Sequence, residues 1–309
     1  MGDLNLPVRL AGVQLGNVLM NGAYIGSKTF KDVEALAGSA AGAVVVGSIS
    51  IKPRKPNPGP GYWLHKDHFY SLNSYGLPNG GLIYFQDQLP KMVKLVHSHG
   101  KPFIANVVGF SDDEFVQLVR LADESGADMA ELNLGCPNAW DGGKQKQIIS
   151  YHASLVRSVL AAIAKQQPKI ALSVKISPLP PDTLRDVAQV IASFDIVQAV
   201  TATNSYPNAA VTSDTGQGDG SGSVLAGLAG SALKPIGVGI VRQLRQLLPS
   251  RVAIIGCGGV GSARDVQDYL QAGASAVQIA TALVEEGPGL FQKIMTGIND
   301  SQTETQTKK

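Results

Sequence analysis

The chain has 309 residues, of which 44% are hydrophobic and 16% charged, and its formal net charge at pH 7 is +2. That length and apolar fraction suit one large buried core with a modest solvated shell. A near-neutral balance gives no footprint for a nucleic-acid groove or an anionic membrane surface.

Taken in chain order, the sequence opens without the basic, apolar and small-residue regions of a signal peptide. Short apolar, β-branched runs then recur with amphipathic stretches between them. The runs lie near Val18 to Asn21, Ala43 to Val46, Pro102 to Asn106, Met129 to Leu134, Ala171 to Ile176, Val197 to Ala202, Val252 to Gly256 and Ala276 to Ala280. All are far shorter than the roughly 20 residues of a membrane span. Most are apolar on both faces, as parallel strands covered on both sides must be. Eight such runs, each followed by a helical pattern, predict an α/β fold, a (β/α)8 TIM barrel.

Between the third and fourth runs, Phe115, Leu118, Val119 and Ala122 follow helical spacing within Asp112 to Ser125, with Ser111 placed to cap the first turn. Asp182 to Phe194 reads the same way, and Glu286 to Ile298 as the closing helix. Two connections are too long for simple loops and form insertions after strands 2 and 6: residues 49–86, rich in Pro and Gly, and residues 205–235, containing Gly216 to Gly222. Barrel function is built on the loops that follow the strands, so these insertions are the expected walls of a site. One barrel domain over residues 1–300 is expected, with residues 301–309 as a polar, disordered tail.

The two cysteines, Cys136 and Cys257, provide neither a disulfide framework nor a metal-spaced pair, which fits a reducing cytoplasm. The histidines fall as His65 with His68, His97 with His99, and His152 alone, without the Cys or carboxylate partners of a ligand set, so no metal is expected. Tyr62 and Trp63 read as lid or subunit-contact residues, or as plain packing.

The densest cluster of chemistry is Glu131-Leu-Asn-Leu-Gly-Cys-Pro-Asn138, where a strand ends in a turn. Amides flanking a thiol can grip a flat heterocycle by its C=O and N–H groups while the sulfur faces one ring carbon. On residue types alone, Cys136 reads equally as a small buried hydrophobe and the asparagines as turn residues.

This octapeptide resembles the active-site loop of class 1 dihydroorotate dehydrogenases. Asn73-Ser-Tyr-Gly-Leu-Pro-Asn79 resembles that family's substrate-contacting turn, Asn17 to Asn21 its opening strand, and Val174-Lys175 the strand that sends a lysine to the flavin. Asn204-Ser205 is similar to its second substrate pair. Gly256 to Val260 with Gln278 to Thr281 resemble its paired phosphate-binding turns. The likeness runs in order over nearly the whole chain.

The resemblance implies FMN and the oxidation of (S)-dihydroorotate to orotate in pyrimidine biosynthesis. Cys136 as thiolate takes a proton from C5 while hydride leaves C6 for flavin N5, which requires nearby donors to lower the thiol's pKa. It implies Asn73, Tyr75, Gly76, Leu77, Asn133, Asn138, Asn204 and Ser205 around the substrate. Around the flavin it implies Ala23, Gly47, Ser48, Asn106, Asn133, Lys175, Thr203, Gly230, Gly258, Gly259, Ala280 and Thr281. The helix starting near Ser262 adds its positive end to the phosphate, and Cys257 is a buried filler. A soluble acceptor is implied, fumarate in a homodimer or NAD through a separate iron–sulfur flavoprotein subunit, with no membrane or nucleic-acid partner.

Three departures stand out. Gly47 occupies the place of a family lysine that touches the flavin and the orotate carboxylate, and Lys52 or Lys55 are candidates to reach back. The stretch before Gly230 is acidic and Gly-rich rather than basic, and Tyr75 replaces a methionine. An FMN oxidoreductase for another dihydropyrimidine or related ring therefore stays open, as does a flavin-binding sensor or inactive subunit.

Overall fold

The computed structural model describes residues 7–141, 144–210 and 225–307, with the side chains of residue 141 and of 301–307 left aside. Eight short strands run parallel: β1 (Leu19–Asn21), β2 (Val44–Ile49), β3 (Phe103–Val107), β4 (Met129–Asn133), β5 (Ala171–Ile176), β6 (Val197–Ala202), β7 (Ala253–Cys257) and β8 (Ala276–Ile279). They pair in the order β1-β8-β7-β6-β5-β4-β3-β2, with helices between them in the sequence. Between β1 and β2 the ring closes through one parallel bridge, Met20 to Ala43. The Asn21 side chain completes that seam, accepting from the Val45 N–H at 2.9 Å and donating to the Val45 carbonyl at 2.6 Å. A side-chain amide carries the same donor and acceptor as a peptide unit, so it replaces the missing rungs of the ladder.

The strands are apolar throughout because two cores press on them. One lies between barrel and helices. The other fills the barrel's interior, where Met20, Val45, Ile104, Met129, Ile255 and Ala276 meet Leu10 and Leu15. Leu10 and Leu15 belong to an antiparallel hairpin, Val8–Leu10 with Val13–Leu15. Met129 and Ala276 are the first residues of β4 and β8, so this hairpin plugs the amino-terminal end and leaves the carboxyl ends open for chemistry.

Helix α1 covers Phe30–Ala37, α2 Gly81–Ser98 and α3 Asp112–Glu124; in α3 Ser111 accepts from the Glu114 N–H at 3.2 Å, as its sequence predicts. Helices α4 (Ala153–Ala164), α5 (Pro181–Ala192), α6 (Lys234–Leu247) and α7 (Ala263–Gln271) follow. The closing helix expected from Glu286 begins later, as α9 (Leu290–Thr307), and Glu286 instead ends the short α8 (Thr281–Glu286). Gly287, at φ +69°, and Pro288 break the run, since one turns the chain left-handed and the other cannot extend the helix before it. Backbone helix runs on through residue 307, into the stretch read as a tail. No helix among the described residues is long and apolar enough to cross a membrane.

The two insertions meet. Strands Tyr206–Ala209, Ala226–Ala229, Ser71–Asn73 and Tyr62–Leu64 pair in that order as one antiparallel sheet. The Gly216 to Gly222 run lies outside the described residues.

Candidate active site

Parallel register aligns polar residues across the strand ends. Gly47 pairs with Asn106, and Asn106 with Glu131. One layer further, Asn133 pairs with Lys175, and Lys175 with Thr201. Glu131 is fully buried and accepts hydrogen bonds from Asn106 Nδ2 at 2.7 Å, Gln278 Nε2 at 2.7 Å and Thr201 Oγ1 at 2.5 Å. A buried carboxylate needs such donors and a counter-charge. Lys175 supplies the charge, donating to Gln278 Oε1 at 2.8 Å. Burial opposes its ionisation, but Cys257, Glu131 and Cys136 favour it, and its pKa ends above the ordinary lysine value. The sequence reading missed Glu131, Thr201 and Gln278; the signal was a charged or polar residue inside an otherwise apolar strand.

Above this layer opens a cavity of about 1090 Å³, counting the space at its mouth. On one side stand Cys136 with Asn73, Tyr75, Gly76, Leu77, Asn138, Asn204 and Ser205. Along the strand ends lie Ala23, Gly47, Ser48, Asn133, Lys175 and Thr203, and at the far end Gly258, Gly259, Ala280 and Thr281. Asn106 and Gly230 do not line it. Asn106 sits one layer beneath, accepting from Ser48 Oγ, which also takes a hydrogen bond from Asn133 Nδ2 at 3.0 Å. Gly230 backs the Gly258–Gly259 turn: its carbonyl oxygen is 2.7 Å from where a Cβ on Gly259 would lie. Tyr62 lines the cavity and stacks on Tyr75 with ring centroids 6.3 Å apart, while Trp63 packs instead on Tyr70.

The four asparagines form two linked pairs. Asn138 Nδ2 donates to Asn73 Oδ1 at 2.7 Å, and Asn204 Nδ2 to Asn133 Oδ1 at 3.0 Å. These bonds fix which amide edges face the cavity, the arrangement a planar ring with several C=O and N–H groups requires.

Cys136 receives a hydrogen bond from the Asn138 backbone and feels the positive charges of Lys146, Lys28 and Arg54. Burial nevertheless outweighs them and its pKa is raised, so the thiol is not shifted downward as the sequence reading requires. Two of those cations are occupied elsewhere: Lys146 Nζ lies 4.1 Å from the Phe110 ring centre, and Arg54 4.8 Å from the same ring. Cys257 also lines the cavity, beside Lys175, so it is part of the wall rather than remote filler.

The α7 amino terminus already carries a carboxylate of the chain. Asp265 fills it, accepting from the Gly261 N–H at 3.0 Å and Ser262 Oγ at 2.7 Å while Lys234 Nζ pairs with its other oxygen at 2.5 Å. At position 47 the backbone has φ +142°, and a Cβ there would lie 2.3 Å from the Asn106 carbonyl oxygen. No side chain fits in this conformation. Lys52 and Lys55 are exposed and do not line the cavity.

Comparison with known proteins gives one consistent result. A family model described as Dihydroorotate dehydrogenase matches residues 5–301. A Streptococcus uberis protein named dihydroorotate dehydrogenase A (fumarate) is 33% identical over 301 residues, covering 93% of this chain and 89% of its own. One of the same name from Enterococcus faecalis is 31% identical over 312 residues, covering 94% and 92%. In three dimensions the chain resembles the crystal structure of DHODH from Eimeria tenella in complex with ferulenol, with a TM-score of 0.82 over 98% of this chain and 86% of that one; at 21% identity this is a likeness of fold. Whole-length agreement with the family, over a barrel that gathers the cysteine, the asparagine pairs and the buried lysine at one mouth, places this chain in the dihydroorotate dehydrogenase family.

Proposed function

We propose that this protein oxidises (S)-dihydroorotate to orotate with FMN as its cofactor. The observation that carries the reading is a single cavity joining Cys136 and two asparagine pairs to a glycine turn across a buried lysine. The residues fit FMN on independent grounds. Thr203 lines the cavity, and its Oγ1 is buried without a hydrogen-bond partner, an arrangement that costs free energy unless a ligand supplies one. Gly258 and Gly259, at φ +125° and +67°, line the far end without side chains, where a phosphate can approach backbone N–H groups. Lys175 places a positive charge on the floor between, suited to a ring that gains negative charge.

In this reading FMN, when bound, would supply the acceptor for the hydride that leaves C6 as its C–H bond breaks. Cys136 Sγ takes the proton from C5, and the electron pair of that C–H bond becomes part of the new C5=C6 double bond. Asn73, Asn138, Asn133 and Asn204 hold the ring edges, so that C5 rests against the sulfur. Fumarate, which the similar streptococcal and enterococcal proteins carry in their names, is the acceptor we assign to the second half-reaction, in place of NAD reached through a partner subunit. A homodimer acting in the cytoplasm, in pyrimidine biosynthesis, completes the proposal.

Anaerobic titration tests it: dihydroorotate is expected to bleach the visible flavin absorbance stoichiometrically. Yellow protein that stays oxidised at saturating dihydroorotate would refute the assignment. A pH dependence follows from the raised thiol pKa. Because the base must be the thiolate, flavin reduction is expected to climb with pH through neutrality and level off only above the ordinary thiol value near 9.

A further inference from the structure

A ring bearing a carboxylate must find a cation or several donors once it leaves water. Two ammonium groups line the cavity, Lys28 and Lys175. Lys175 is committed to the floor through Gln278 and the charge of Glu131. Lys28 stands at the other side, in the loop between β1 and α1. Its Nζ donates to the carbonyl of Pro78 at 2.8 Å, one residue past Leu77 in the turn that bears Asn73, and its charge is close enough to Cys136 for the two to interact.

Lys28 forms no ion pair among the described residues. The carboxylate of Asp32 instead accepts from the backbone N–H groups of Lys28 at 3.3 Å and Thr29 at 2.9 Å, closing the capping box of α1. Burial lowers the Lys28 pKa to about 8, opposed by Cys136 and Asp32. An anion arriving beside it would restore full charge.

The loop's anchorage explains why this lysine serves. The Gly47 N–H donates to the Ser27 carbonyl at 3.2 Å, so Lys28 leaves the backbone next to the point where β2 is held. Position 47 itself admits no side chain. We infer that Lys28 is the cation that recognises the carboxylate of the ring substrate, supplied from the neighbouring loop because the end of β2 has no room for one. The inference rests on the proposed function and names its specificity-determining residue.

The test is calorimetric titration of FMN-loaded protein with orotate and with its methyl ester, which keeps the ring and loses the charge. Wild type is expected to favour orotate. Lys28→Gln keeps a donor for the Pro78 carbonyl and removes the charge; it is expected to lose about 30-fold in orotate affinity while ester affinity moves by less than about threefold. Lys28→Arg retains most of the preference. Should Lys28→Gln not load FMN, Lys28→Met gives the same comparison. Equal losses for both ligands, or no loss for either, overturn the role of Lys28. A wild type that reduces its flavin with dihydroorotate while Lys28→Gln still prefers orotate overturns this inference alone, whereas a wild type that neither binds orotate nor is reduced by dihydroorotate overturns both.

Discussion

Cys136→Ala is expected to slow flavin reduction by dihydroorotate by about 10³-fold while FMN remains bound. Cys136 lies in the loop after β4, and the glycine turn proposed to hold the FMN phosphate follows β7, so the substitution is remote from that turn. Alanine removes the thiol proposed to take the proton, and the asparagines beside it are neutral amides without basic character. Cys136→Ser keeps a hydroxyl but needs a far higher pH to ionise, so its rate is expected to fall below wild type and to rise with pH over a range where wild type has levelled. Stopped-flow bleaching under anaerobic conditions distinguishes these outcomes. Bleaching in Cys257→Ala is expected to survive, because Cys257 contacts Lys175 on the floor and not the substrate wall. Retention of full bleaching rates in Cys136→Ala would remove the cysteine from the chemistry.

Lys175→Met carries the second large effect, on stability. Glu131 is fully buried, its three hydrogen bonds come from neutral amides and a hydroxyl, and Lys175, one layer further out, is the cation linked to it through Gln278. Removing one partner of a buried charge pair leaves the other uncompensated and costs about 3–5 kcal/mol. A loss near 3 kcal/mol is expected in urea unfolding of the FMN-free protein, together with weaker FMN retention. The pair Lys175→Met with Glu131→Gln removes both charges, and is expected to be more stable than Lys175→Met alone. If the single variant loses under about 1 kcal/mol, Glu131 does not depend on Lys175 for its charge.

Much of this was legible beforehand because it is local. A strand covered on both faces must be apolar along its length, and eight such runs in series leave few ways to bury them all. The Ser111 cap, the α3 stripe and the octapeptide ending at Asn138 follow from neighbours within a few residues. The late start of α9, beyond Gly287 and Pro288, is equally local, because both residues interrupt helical backbone.

Other features depend on residues far apart in sequence and required the folded chain. Glu131 meets Gln278 from 147 positions away, and Lys28 meets Pro78 from 50. The sheet beside the cavity unites two insertions whose strands carry no mark of one another. The direction of the Cys136 shift is a contest between desolvation and three cations, and its outcome depends on distances that residue types do not contain. The amino-acid order by itself determined the barrel, since backbone periodicity acts over a few positions, while the residues expected at its mouth came from the resemblance of short motifs to a known family. Tertiary structure alone decided which cations line the cavity and which buried charge has a partner, because register and closure set those contacts.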